Sequence, residues 1–154
     1  MSIITDAYGE LLTRIETVLD TAADGYFRLP NPYKPEENNE RFLIKGYAIA
    51  LGPASNTNRF VNCKFSISRQ VTVVLTRQYF AREDDAEAKA DAELALFEDQ
   101  YKLINDLEQD ISVNGQTMYT RYETDGGIEY VQGNTDRFLM LRTQINLEYI
   151  ETFT

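Results

Sequence analysis

The sequence predicts an α+β fold: a mainly antiparallel sheet with two helices packed on one face, and an extended proline-rich arm. Three observations predict it. In RFVNCKFSISRQVTVVLTRQ, Arg59 to Gln78, the residues Val61, Cys63, Phe65, Ile67, Val71, Val73 and Leu75 alternate with polar residues. That period of two is the pattern of a strand with one buried face. Arg137 to about Phe153 repeats it with Leu139, Leu141, Thr143, Ile145, Leu147 and Tyr149. Two other stretches, one near each third of the chain, carry apolar residues at the three- and four-residue spacing of a helix. A chain of 154 residues that is 43% hydrophobic and 26% charged fits one domain with a real core.

The first helix is expected from Thr5 to about Ala22, with Thr5 or Asp6 as its cap and Leu11, Leu12, Ile15, Val18 and Leu19 as its apolar stripe. Gly25 suits its end. Tyr26 to Arg41, YFRLPNPYKPEENNER, holds three of the four prolines, so neither a helix nor a central strand is expected there. It reads as an arm whose aromatic and apolar residues, Phe27, Leu29 and Tyr33 among them, dock on this subunit or the next, or as a surface loop.

Phe42 to Leu51 is the next strand; Gly46 within it signals a bulge or a close backbone approach. Gly52-Pro53 and the polar run to Asn58 are expected to turn the chain into Arg59–Gln78, giving an antiparallel hairpin. That second strand is long, so either it bends near Ser68–Gln70 or it runs past the edge of its domain. Cys63, the sole cysteine, falls on its apolar face, which predicts a buried, inert thiol and agrees with a reducing compartment.

Glu83-Asp84-Asp85 caps the expected second helix, which runs to about Asp110. Its early turns are alanine-rich and are expected to overhang the sheet; Leu94, Phe97, Tyr101, Ile104, Leu107 and Ile111 form its later apolar set. Gln116 to Thr124 is a strand, and Asp125-Gly126-Gly127 a hairpin turn into a short partner, Ile128 to Val131.

Several function classes fall away. With no histidine there is no imidazole base or metal ligand, and no phosphate-binding glycine motif is present. No enzyme, cofactor or metal is expected; Asp84, Asp85 and Glu87 suit a hard cation, but a solvated helix start explains them more simply. A net charge of -10 disfavours a protein that grips nucleic-acid phosphates. No apolar run is long enough for a membrane helix, and MSIITDAYGELL lacks the pattern of a signal peptide.

Charge is distributed in blocks. Arg59, Lys64, Arg69, Arg77 and Arg82 occur with no acid between residues 59 and 82, whereas residues 83–110 hold eleven acids and two lysines. Helix solubility accounts for this, or else a head-to-tail interface that joins a basic strand to an acidic helix on the next subunit. On the second reading Arg69, Arg77 and Arg82 face Asp84, Asp85 and Glu87 across subunits. Arg69 and Arg77 stand in the apolar register of their strand and need a partner there.

The order of these pieces resembles the tail terminator (tail completion) proteins of long-tailed bacteriophages. The resemblance rests on the N-terminal amphipathic helix, FLIKGYAIALGP, RFVNCKFSISRQVTVVLTRQ leading into the acidic helix, and GGIEYVQGNTDRFLMLRTQINLEYIE. It spans about residues 5–152, rests on order and length rather than on an invariant motif, and does not place the arm. It implies a homo-oligomeric ring, a hexamer, on the end of the tail tube. Such a ring stops tube polymerisation, offers a docking surface to the head–tail connector and lets DNA pass through its lumen without specific binding. The alternatives are another neck or tail-tube protein of a phage or, from a different class, a small-molecule or peptide-binding α+β domain.

Overall fold

The alternating apolar residues lie on one face of a single sheet. The computed structural model describes residues 2–79, 86–109, 118–132 and 137–153. Five strands, β1 (Phe27–Arg28), β2 (Lys45–Val61), β3 (Lys64–Tyr79), β4 (Met118–Gln132) and β5 (Arg137–Thr152), pair in the order β1-β2-β3-β5-β4. Only the short β1–β2 pairing is parallel. The fold is α+β, with helices α1 (Ile3–Val18) and α4 (Ala86–Gln109) against one face. Ala7, Leu11 and Ile15 of α1 and Ala92, Leu96 and Leu103 of α4 close over Val71, Val73 and Leu75 of β3 and Leu139, Leu141, Ile145 and Leu147 of β5. Each large apolar side chain so buried contributes about 1.5–3 kcal/mol.

Several local expectations are corrected. Ser2, not Thr5 or Asp6, caps α1: its hydroxyl accepts a hydrogen bond from the Thr5 N–H at 3.3 Å. The helix ends at Val18, and Asp20 in the left-handed region (φ 51°) leads into a single turn, α2 (Thr21–Asp24), closed by Gly25. The hairpin turns at Asn62-Cys63, not at Gly52–Asn58. Cys63 takes φ 65° there and is exposed, so the buried thiol is overturned. β2 runs straight through Gly52-Pro53 with register shifts between Leu51 and Asn56. A bulge on an unpartnered edge tolerates a proline that cannot donate to the ladder. Asp125-Gly126-Gly127 is likewise a bulge within β4: both halves pair with β5, and Gly127 (φ 76°) supplies the left-handed residue.

The opposite face of the sheet carries a smaller core. Leu29 and Leu43, from the Tyr26–Arg41 stretch and the short α3 (Glu40–Leu43) that closes it, pack on Ala48, Val74, Phe138 and Met140. The arm therefore docks on its own subunit. Its loop is pinned by Asn38, whose side chain accepts from the Asn31 N–H at 2.8 Å and donates to the carbonyls of Asn31 (2.9 Å) and Pro35 (2.8 Å). Gly46 is where arm and sheet meet most closely: a Cβ there would lie 2.7 Å from the Phe42 carbonyl oxygen and against Leu29 and Thr76.

Candidate assembly surfaces

Two surfaces stand apart from the cores, and the sequence places each for a different physical reason. The first is the tip of the β2–β3 hairpin. Along β2 burial stops near Ile49; Pro53, Ala54, Thr57, Asn58, Arg59 and Val61 are all exposed, as are Asn62, Cys63 and Lys64. From Gly52 to Val61 the strand extends about 30 Å at roughly 3.3 Å per residue. β1 pairs with Gly46 and Tyr47 alone, so beyond them β2 is a sheet edge among the described residues. The tip is stiffened by its own contacts. The Arg59 guanidinium lies 5.3 Å from the centre of the Phe65 ring, Phe153 meets that ring edge-on at 5.7 Å, and the Phe153 N–H donates to the Cys63 carbonyl at 2.7 Å. Val61 remains 50% exposed and Phe153 54%.

The second surface is the outer face of α4. The sequence reading takes Leu94, Phe97 and Tyr101 for core; they are instead 67%, 39% and 63% exposed. Ala90 continues the stripe, and the exposed acids Glu87, Asp91 and Glu98 flank it. The helix is held in this rotation by polar groups on its inner face. Asp99, 5% exposed, accepts from Arg77 Nη2 at 2.9 Å and from the Tyr26 hydroxyl at 2.7 Å. Gln100 donates to Asp125 Oδ2 (3.0 Å) and to Thr143 Oγ1 (2.9 Å). Arg14 of α1 binds the Asp106 carboxylate and carbonyl, each at 2.8 Å. Rolling α4 to bury Leu94, Phe97 and Tyr101 would strip these buried groups of their partners, a larger cost than the apolar gain. The apolar periodicity of α4 alone therefore misleads; the missed signal is the Asp99-Gln100 pair one step away.

The electrostatics follow the same contacts. Burial, then the hydrogen bond to Asp99, pushes the Tyr26 hydroxyl up to about 12. The Asp125 carboxyl is held below its usual range chiefly by the Gln100 hydrogen bond, with help from Gly127 and Tyr122.

The predicted interface residues divide. The partner that Arg77 needs is Asp99 of the same chain, in an ion pair whose side chains are 18% and 8% exposed. Arg69 is likewise satisfied internally, donating to the Tyr149 hydroxyl (3.2 Å) and the Gly52 carbonyl (3.0 Å). The reason for placing either at a subunit interface is thereby removed. Glu87 is exposed in the first turn of α4, and Arg82, Asp84 and Asp85 lie outside the described residues. Of the arm residues, Leu29 is buried, Phe27 rests edge-on against Phe42 at 5.9 Å, and Tyr33 is 66% exposed.

A groove of about 380 Å³ lies beside the unpaired part of β2, between Tyr8, Arg28, Pro30, Pro32, Ile49 and Leu51. Among the described residues no cluster of three or more His, Cys, Asp or Glu side chains is placed to hold a metal, and no helix is long and apolar enough to cross a membrane. Neither a protein-family model nor a curated protein matches this chain.

Proposed function

We propose that this chain is a structural virion protein that forms a ring at the end of a phage tail tube. There it ends tube polymerisation and provides the docking surface for the head connector. The observation that carries this reading is the pairing of two unlike exposed surfaces on one chain. A basic hairpin overruns the core, and an acidic helix turns an apolar stripe outward. Unlike patches on one subunit make heterologous contacts, which close into rings when the rotation per step divides a circle. The order of helix, long hairpin, acidic helix and closing strand pair supports the resemblance to tail terminators. In this reading the partners are further copies of the chain, the tail tube and the connector; a net charge of -10 lets DNA slide through the lumen without adhering. No catalysis, cofactor or membrane enters it.

Another neck or tail-tube protein would use the same two surfaces. A peptide-binding domain is the reading favoured by the groove beside β2, where an extended segment could add to the free strand edge. Electron microscopy of the purified protein, alone and with tail tubes, separates these readings. Annular particles that sit on tube ends and halt tube growth support termination; single globules that ignore tubes refute it.

A further inference from the structure

The outer face of α4 carries an apolar stripe that nothing covers among the described residues, and the chain carries a surface of matching chemistry at a distance from it. We infer that the stripe formed by Ala90, Leu94, Phe97 and Tyr101 is covered by the β2–β3 hairpin tip of a second copy of this chain. This inference rests on the ring reading and assigns the contact that would build the ring.

Three observations select the occupant. Charge is the first: between residues 52 and 69 the chain carries Arg59, Lys64 and Arg69 and no acid, whereas α4 holds seven acids and two lysines. Arg59 and Lys64 are exposed at the tip, and Glu87, Asp91 and Glu98 are exposed beside the stripe, so docking places opposite charges around an apolar centre. Shape is the second. The tip ends in a tight two-residue turn with Val61 half exposed beside it, a narrow ridge that suits a stripe one side chain wide. Position is the third. The tip lies where Lys64 pairs with Thr152, whereas the first turns of α4 lie over the opposite end of β5, Lys89 sitting 4.1 Å from the Tyr130 ring, which pairs with Leu139. A tip and a stripe at opposite ends of the sheet meet only between copies; repeated in one direction the contact propagates towards a ring, whereas a reciprocal exchange of tips would stop at a pair.

The sole cysteine supplies the test. Cys63 is exposed in the tip, and Leu94 is 67% exposed at the centre of the stripe. Wild-type chains, with one thiol each, link at most in pairs on oxidation. Leu94→Cys in the full chain adds the second thiol. The inference predicts a ladder of three, four and more linked chains on a non-reducing gel, collapsing to at most pairs when Cys63→Ser is added. Glu36→Cys, at an exposed site on the arm, measures links made by random collision. Lys64→Glu, with its fold checked by circular dichroism, should weaken assembly about tenfold or more by setting like charges together. A Leu94→Cys ladder no stronger than that of Glu36→Cys, in a protein that light scattering shows to be oligomeric, overturns this contact and leaves the ring standing. A monomer at every concentration overturns both.

Discussion

Replacing Arg77 with Met tests the account of why α4 sits as it does. The substitution keeps the length and apolar stem of the side chain but removes its charge. It leaves the Asp99 carboxylate, 8% exposed, behind the helix without its cation. Removing one member of a buried pair costs about 3–5 kcal/mol. The Tyr26 hydroxyl still donates to Asp99 at 2.7 Å, which sets the expectation at the low end, about 3 kcal/mol. For a chain of this size each kcal/mol lowers the melting temperature by about 2–4 °C, so a fall of about 6–12 °C is expected. The assay is urea and thermal unfolding followed by circular dichroism, at concentrations where only the monomer is present. A double-mutant cycle completes it: Arg77→Met with Asp99→Leu removes both charges and should recover most of the loss. A loss below about 1 kcal/mol in the single variant, or strict additivity in the cycle, would refute the claim that this pair fixes the rotation of α4.

Three further outcomes are expected. Leu29→Ala removes the anchor of the arm from the second core and should cost about 2–5 kcal/mol, with new protease cleavage between residues 26 and 41; unchanged protection there would mean that the arm is held by other contacts. Gly46→Ala drives a Cβ into the Phe42 carbonyl and the Leu29 side chain and should cost about 1–3 kcal/mol, read from the urea midpoint. Tyr26 titrates at about 12 in the folded chain against 10.0 for an ordinary tyrosine. Its raised value means that the unfolded chain loses this proton first. Stability from this group is therefore complete below pH 10 and is lost as the pH rises towards about 12. Tyr26→Phe should show a shallower alkaline decline than wild type; parallel declines would remove Tyr26 as a cause.

The sheet was legible because its central strands alternate cleanly. Val71, Val73 and Leu75, and Leu139, Leu141, Ile145 and Leu147, all meet the helices as their spacing implies. Legibility failed wherever burial on one face did not govern the chain. Residues 52–58 read as a turn because they are polar and contain Gly52-Pro53, yet an exposed strand edge has no apolar face to maintain. Cys63 and Val61 kept the alternating register beyond the point where the core ends, so register was mistaken for burial. On α4 two apolar stripes competed, and Leu94, Phe97 and Tyr101 made the larger one. The choice between them depended on Arg77, Tyr26, Asp125 and Thr143, all distant in sequence. The site that assembly would use was therefore hidden in the sequence as an apparent piece of core.

Native mass across a range of protein and salt concentrations tests ring assembly most directly. The account predicts a discrete oligomer, a hexamer if the tail-terminator resemblance holds, that dissociates as salt screens the basic tip from the acidic helix. A strict monomer at every protein concentration in low salt would contradict it.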